Sequence, residues 1–300
     1  MKTSAGLRLS SVGCKLDSSP SSWGELEDSS ALRNDPVALR AKLHEKGYLF
    51  LRSFFSRELI NETRQALLAR VNQPGVFDTR HPLDEGVLLS GAKPPGLSHE
   101  VLKEIAEVRR VVFGPELTVF YERLLEGDIR HFDHIWGRAM GKGQGTRPHC
   151  DIVYMGRGTR KLCTAWIPYG DVSYEIGGLM ILEDSHLQAD RIKNYLQSDV
   201  DTYCKNDPQR NGWKFLGALS NNPASLREKL GGRWLSADFQ MGDLLTFSME
   251  TIHGSIDNQS DRVRISTDTR YQLASEPIDE RWIGEEPVAH GPGAKKGLIC

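Results

Sequence analysis

The sequence predicts a mainly β fold in which helices flank a jelly-roll core. Before residue 129, apolar residues recur at helical spacing, whereas from there to about residue 275 short apolar stretches alternate with turn residues. The second pattern is typical of a small antiparallel barrel or sandwich. A chain of 300 residues with 39% hydrophobic content suits one large domain or two small ones, and we interpret it as one.

The first helix and strand have clear boundaries. Asp35 precedes Pro36, the arrangement of an N-cap followed by a proline in the first helical position. Gly47 suits the end of this helix because glycine readily adopts the left-handed conformation of a helix terminus. The apolar run "YLFLRSFF" that follows predicts a strand.

Three more helices and at least four strands follow. The helices are predicted to begin at Ser56, at Ser98 and at Pro115, and to cover "RELINETRQALLARV", "HEVLKEIAEVRRVV" and "GPELTVFYERLLEG". The clearest strands are "CTAWIPYGD", "GGLMILEDS", "GDLLTFSME" and "RVRISTDTRYQL". Helices therefore precede the strands along the chain.

Composition divides the chain into a leader, one domain and a tail. Residues 1–33 are rich in Ser and Gly and predict a flexible leader, residues 34–275 form the domain, and residues 276–300 predict an extended tail. Within the domain, residues 187–233 are polar and irregular, with aromatic residues at Tyr195, Tyr203, Trp213 and Phe215. An interruption of this length is usually a functional lid or a disordered insert, and we predict a mobile lid.

Charge and cysteine usage exclude several classes of protein. The net charge of -2 provides no basic field for nucleic acid, and no apolar run has the ~18 to 20 residues that cross a membrane. The five cysteines are scattered without C-x-x-C spacing, which favours a reducing compartment and a cytoplasmic location. We expect a monomer or a weak homo-oligomer. A peroxisomal location is the alternative, since "RLSSVGCKL" resembles a targeting nonapeptide with Lys15 in place of His or Gln.

Two histidine–aspartate pairs have the spacing of metal ligands. His149 and Asp151 are two residues apart, and on an extended backbone they would point to the same face. His131 and Asp133 have the same spacing, with His134 beside them. The spacing alone does not distinguish a metal site from a polar patch, so the rest of the chain must decide between the pairs.

A second cluster supports the pair at residues 149 and 151. His253 is predicted to lie at the end of the strand "GDLLTFSME", and Arg264 and Ser266 lie on the next strand with side chains on one face. Two histidines and one carboxylate can bind one face of iron(II) and leave three positions for a bidentate 2-oxo acid and O2. An arginine can hold the far carboxylate of such an acid by two hydrogen bonds, and a neighbouring serine hydroxyl can donate another.

These residues resemble the phytanoyl-CoA dioxygenase family of iron(II)- and 2-oxoglutarate-dependent oxygenases, from about Leu39 to Gln272. The similarity rests on "HCD", "HGS", the arginine eleven residues after the second histidine, and "TAWIPYGD". It implies a double-stranded β-helix of the cupin-like type. It implies His149, Asp151 and His253 as iron ligands, with Arg264 as the 2-oxoglutarate anchor and Ser255 and Trp166 in the same pocket. "LEDSH" departs from the family's P-G-S-H, which alters a turn and no ligand.

The resemblance implies hydroxylation, or another oxidation, of an unactivated C–H bond in a small molecule, with release of succinate and CO2. Because Asp151 is a carboxylate, whereas related halogenases have a small residue there, we predict no halogenation. The alternatives are a metal-binding jelly roll without oxygenase activity, such as a cupin-like isomerase or ligand sensor, and an interaction module with an incidental triad. The identity of the substrate is not encoded in any motif.

Overall fold

The computed structural model describes residues 8–206 and 216–298, which form fourteen strands and eight α-helices. The strands are β1 Ser10–Ser11, β2 Cys14–Lys15, β3 Trp23–Glu25, β4 Tyr48–Leu51, β5 Ile129–His131, β6 Trp136–Met140, β7 Cys163–Pro168, β8 Leu179–Leu182, β9 Thr202–Cys204, β10 Trp234–Ser236, β11 Leu244–Ser248, β12 His253–Ser255, β13 Arg264–Leu273 and β14 Lys296–Leu298. The helices are α1 Pro36–Lys46, α2 Arg57–Val71, α3 His99–Leu102, α4 Ala106–Val112, α5 Pro115–Leu125, α6 Ile152–Met155, α7 Lys193–Leu196 and α8 Pro223–Leu230.

Two sheets form the core of the fold. The larger has the order β4-β11-β7-β13-β5, with β6 also paired to β13, and all its pairings are antiparallel. The smaller has the order β12-β8-β10-β3, in which only β10 and β3 run parallel. Trp166 and Phe247 of the large sheet share one buried cluster with Ile181 and Leu235 of the small sheet. This confirms the predicted mainly β fold with a jelly-roll, double-stranded β-helix core.

The helices cover the outer face of the large sheet, as the sequence predicted. On β7 the side chains alternate: Ala165 and Ile167 join the helices in one buried cluster, while Trp166 joins the cluster between the sheets. The buried hydroxyl of Tyr121 on α5 lies 2.7 Å from the hydroxyl of Thr246 on β11. The strands therefore present one face to the helices and the other to the interior.

The predicted helix starts are confirmed, with one correction. The carboxylate of Asp35 accepts a hydrogen bond from the amide of Ala38 at 3.0 Å, and the hydroxyl of Ser56 accepts one from Leu59 at 3.2 Å. The helix predicted from Ser98 is instead broken into α3 and α4. At the break Ile105 is extended, with φ −93° and ψ 105°, and its side chain is buried. Burial of this side chain favours the break over a continuous helix.

The prediction of a flexible leader is wrong for residues 8–33. Trp23 and Leu26 are buried, and β3 adds a parallel strand to the small sheet. The carboxylate of Asp257 accepts hydrogen bonds from the amides of Val12 and Gly13 at 2.7 and 2.9 Å. The strands here are only two or three residues long, too short for a periodic pattern to indicate them. Leu9 and Leu16, the two leucines of the nonapeptide, are also buried.

The tail is also packed against the fold instead of extending from it. Trp282 is fully buried, and the guanidinium of Arg281 bonds the carboxylates of Asp279 and Asp201.

In the insertion, Leu226 and Leu230 of α8 are buried. Trp213 and Phe215, two of the aromatic residues of the predicted lid, lie outside the described residues. Within residues 8–206 and 216–298, no helix is long and apolar enough to cross a membrane.

Candidate metal centre and its cavity

His149 and His253 are brought together by backbone pairing. Their main chains exchange two hydrogen bonds, each of 2.9 Å, in an isolated antiparallel bridge. The ring Nδ1 of His149 lies 2.7 Å from the carbonyl of Arg147, and that of His253 lies 3.0 Å from the carbonyl of Thr251. Because a carbonyl only accepts, each Nδ1 carries the proton, which leaves each Nε2 lone pair available to a metal.

Asp151 completes the group. Its Oδ1 lies 3.8 Å from Nε2 of His149 and 3.7 Å from Nε2 of His253, and a ligand atom from each residue lies within 4.8 Å of the others. Its Oδ2 accepts hydrogen bonds from the hydroxyl of Thr164 at 2.5 Å and from Arg270 at 3.0 Å. One carboxylate oxygen is therefore held by the protein while the other faces the two imidazoles.

The electrostatics of the group favour the protonation states that a metal needs. Burial, and then the neighbouring His253, lower the pKa of His149 to about 3, so its imidazole is neutral at neutral pH. Burial of Asp151 opposes its ionisation, but Arg270, the two neighbouring histidines and the Thr164 hydrogen bond together outweigh burial and hold the carboxyl pKa well below its usual range. Neutral imidazoles and an ionised carboxylate are the forms that bind iron(II).

The convergence of His149 and Asp151 does not arise from strand alternation. Strand pairing stops at His149, and Asp151 has helical dihedral angles, with φ −64° and ψ −26°, at the start of α6. His253 also differs from the prediction. It does not extend the strand "GDLLTFSME" but begins β12 in the opposite sheet. Cys150 is buried, with its thiol against the carbonyl of Glu250.

Arg270 is a site residue that the sequence reasoning missed. Its guanidinium is buried, donates to Asp151 and to Asp268, and lies 4.0 Å above the ring of Trp136. Asp268 and Arg270 continue the two-residue alternation that begins with Arg264 on β13. This alternation could have indicated Arg270, because it places a second positive charge on the same interior face of β13 as Arg264.

Arg264 has the features of an anion-binding residue. It is 3% exposed, one Nη donates to the carbonyl of Gly177, and its Nε has no hydrogen-bond partner among the described residues. The hydroxyl of Ser266, two residues along the strand, is also buried without a partner. A buried charge with unsatisfied donors is costly unless a ligand pairs with it. These unpartnered atoms fit the far carboxylate of a 2-oxo acid.

The other residues implied by the resemblance occupy the same region. His149, Asp151 and His253, called the metal group below, line one cavity. Ser255 and Trp166 line the same cavity, whereas Ser266 does not. The hydroxyl of Ser255 accepts a hydrogen bond from the amide of Thr146 at 2.8 Å, so its proton is free to donate elsewhere. The ring of Trp166 packs edge-on against Phe239, with centroids 4.9 Å apart.

A single cavity of about 480 Å³ contains the metal group and Arg264. This volume lies within the range of small-molecule binding sites. Its wall combines charged groups with apolar side chains, among them Trp136, Met140, Tyr154, Met155 and Leu179. His290 from the tail and Leu216 from the insertion also line it.

The second histidine–aspartate pair lies elsewhere. The ring of His131 stacks on Phe113 with centroids 4.1 Å apart, and its Nδ1 lies 3.6 Å from Asp133. In the described part of the chain, only the group at residues 149, 151 and 253 has three ligand atoms placed for a metal. His134 stacks on His99 and does not line the cavity.

The departure at "LEDSH" is a turn, as the sequence indicated. Asp184 has a left-handed φ of 56°, a conformation that glycine adopts without strain. Glu183 forms a two-pronged ion pair with Arg233 at 2.6 and 2.9 Å. In the described part of the chain, the ring of His186 forms no hydrogen bond with His149, Asp151 or His253. Its Nε2 lies 3.0 Å from the carbonyl of His44.

Comparisons with known proteins place the chain in a family. Residues 43–266 match the family model for phytanoyl-CoA dioxygenase (PhyH). The 1-deoxypentalenic acid 11-beta-hydroxylase of Streptomyces exfoliatus is 28% identical over 262 residues, which cover 83% of this chain and 85% of that protein.

Solved structures share the fold. The epimerase SnoN from nogalamycin biosynthesis, in complex with Fe3+, alpha ketoglutarate and nogalamycin RO, matches with a TM-score of 0.56 and 18% identity over 85% of this chain and 93% of SnoN. The alpha ketoglutarate dependent carbocyclase SnoK matches with a TM-score of 0.58 and 17% identity over 84% of this chain and 90% of SnoK.

Proposed function

This chain belongs to the phytanoyl-CoA dioxygenase family, and from that premise we propose that His149, Asp151 and His253 are its iron ligands and Arg264 its 2-oxoglutarate anchor. The chain is an iron(II)- and 2-oxoglutarate-dependent oxygenase. The observation that carries the assignment is the convergence of the three ligand atoms in a cavity that also contains Arg264, which has no carboxylate partner among the described residues.

Iron, when bound with 2-oxoglutarate and O2, supplies the oxidising chemistry that attacks an unactivated C–H bond and releases succinate and CO2. The protein's residues hold and orient the reactants. Arg147 and Thr251 fix the two imidazoles through their carbonyls, and Thr164 and Arg270 fix the carboxylate of Asp151. These contacts preorganise the ligand set before the metal arrives.

Arg264 holds the far carboxylate of 2-oxoglutarate in this proposal. Its guanidinium provides directed donors, and Ser255 provides a hydroxyl group in the same cavity. Ser266 lies beside Arg264 on β13 but does not line the cavity. Trp166 forms part of the wall that excludes water from the co-substrate. A cupin-like isomerase or sensor would have no use for a buried arginine that lacks a counter-ion, which disfavours that alternative.

The substrate is a small molecule, in keeping with the relative that is named for hydroxylation of 1-deoxypentalenic acid. We propose hydroxylation as the reaction. We also propose a cytoplasmic location and a monomeric or weakly associating chain, because the free cysteines Cys14, Cys150 and Cys163 are typical of a reducing compartment.

Succinate release tests this function. The protein loaded with iron(II) should convert 2-oxoglutarate to succinate in the presence of O2, and a metabolite library should contain compounds that accelerate the conversion. Treatment with a chelator should abolish turnover, and iron(II) should restore it. Protein that binds one equivalent of iron and yet releases no succinate with any library member would contradict the assignment.

We propose further that part of the insertion covers the cavity. Leu216 and Ala218 line it, and the backbone between them is tied to the site by two tyrosines. The hydroxyl of Tyr154 donates to the carbonyl of Leu216 at 2.8 Å, and that of Tyr195 donates to the carbonyl of Gly217 at 2.7 Å. A cover at this position would exclude water during oxidation.

Gly217→Ala tests whether the segment from Leu216 to Ala218 covers the cavity, and it alters no residue of the metal group. Gly217 has a φ of 78°, and a Cβ there would lie 2.1 Å from the Tyr154 ring, so the segment must shift. We expect normal iron content but fewer substrate molecules oxidised per succinate formed. Gly231→Ala is the matched control, since Gly231 has a φ of 82° and open space around it. Equal coupling in both variants would show that this segment does not cover the reaction.

A further inference from the structure

The charges around the cavity do not balance. Four arginines line it against two carboxylates, namely Arg138, Arg147, Arg264 and Arg270 against Asp151 and Asp268. Both carboxylates bond Arg270. Arg138 and Arg147 have no ion-pair partner among residues 8–206 and 216–298. The cavity therefore has an excess of positive charge that no described side chain neutralises.

The co-substrates of the proposed function leave this excess in place. Iron(II) carries two positive charges and 2-oxoglutarate two negative ones, so together they add none. The far carboxylate of 2-oxoglutarate is assigned to Arg264. A positive potential in a cavity with low-dielectric walls attracts a further anion. The remaining charge is thus available to the substrate.

Arg138 is placed to meet that anion. It lies on β6 directly opposite Ser266, so its side chain faces the interior on the same side as Arg264. It is half-buried, and the one hydrogen bond that its guanidinium makes to the described residues is a 3.2 Å contact to the carbonyl of its neighbour Gly137. Burial, together with the nearby charge of Arg138, lowers the pKa of Arg264 to about 10, so Arg264 stays charged at neutral pH.

Apolar side chains form much of the remaining wall. Trp136 and Met140 flank Arg138 on the same face of β6, and Met155 and Leu179 lie on other elements around the cavity. Arg147 is exposed at the rim. A ligand complementary to this wall has an apolar body and one anionic group.

We propose that the substrate oxidised by this enzyme is an organic acid with an apolar carbon frame, whose carboxylate binds Arg138 within the cavity. Arg147 at the rim assists its entry. This inference rests on the proposed function, and it names the class of substrate for that site. A carboxylate attached directly to the frame fits a cavity of about 480 Å³, whereas the phosphates of a coenzyme A thioester would lie beyond it.

Binding to the nickel(II)- and 2-oxoglutarate-loaded protein tests the proposal without turnover. The probes are 1-deoxypentalenic acid and decanoic acid, their methyl esters, and decanoyl-coenzyme A. We expect at least one acid to bind about tenfold or more tightly than its ester. Arg138→Gln should remove this preference while the Kd of 2-oxoglutarate stays within about twofold of wild type.

Two variants serve as controls. Arg138→Lys retains the charge and should retain the preference for the acid. Arg130→Gln removes an exposed arginine on β5 that does not line the cavity, and it should change nothing. Equal binding of acids and esters, or tighter binding of the thioester, would overturn the proposal.

A loss of 2-oxoglutarate affinity in Arg138→Gln as large as that in Arg264→Ala would also overturn it, because Arg138 would then serve the co-substrate. Failure of the proposed function itself is distinguishable. In that case the wild-type protein would bind no 2-oxoglutarate and release no succinate, whichever acids it binds.

Discussion

Replacement of Asp151 or His149 by Ala is expected to abolish iron binding and turnover. Each change removes one of three ligand atoms that lie within 4.8 Å of one another. Loss of a residue that only supports a metal ligand typically weakens affinity about 10- to 100-fold, so loss of a ligand itself should exceed this range. Asp151→Ala also leaves Arg270 with only one of its two carboxylate partners. Iron content after anaerobic loading and cobalt(II) titration measure the effect.

His131→Ala is the control for this experiment. His131 belongs to a pair with the same two-residue spacing, but its ring stacks on Phe113 outside the cavity. Its variant should bind one equivalent of iron. If His131→Ala lost iron and His149→Ala retained it, the second pair would be the metal site.

Arg264→Ala is expected to weaken 2-oxoglutarate binding while iron still binds. The guanidinium is 3% exposed and lacks a carboxylate partner, so it is already desolvated for a ligand. Truncation of one partner of such a charge pair costs about 2 to 5 kcal/mol, which corresponds to roughly 30-fold to several thousandfold in affinity. The dependence of succinate formation on 2-oxoglutarate concentration, with iron content measured in parallel, gives the result.

Arg262→Ala provides a matched control two residues away. Arg262 is half-exposed and pairs with Glu85 at 3.3 Å on the surface. Its removal should leave the 2-oxoglutarate affinity unchanged, since exposed ion pairs contribute little. If the two variants had equal apparent affinities for 2-oxoglutarate, Arg264 would not be the residue that anchors it.

Local sequence determined those parts of this protein that depend on neighbouring residues. The helix starts at Asp35 and Ser56 were predictable because a cap is a contact between residues three apart. The strands β7 and β13 were predictable because they lie in short apolar stretches that turn residues separate. Residue types at fixed spacing also indicated the metal group, because iron(II) chemistry restricts its ligands to few side chains.

Contacts between residues far apart in the sequence determined the packing of residues 8–33, the position of His149 and the role of Arg270. Residues 8–33 were predicted to be flexible, but Trp23 is buried by pairing with β10 more than 200 residues later, which no local pattern records. The placement of His149 beside His253 depended on the bridge that pairs their main chains. Arg270 acquired its role only when folding placed Asp151 beside it. Burial and long-range pairing set these outcomes, because desolvation makes a buried charge depend on the partners that the fold supplies.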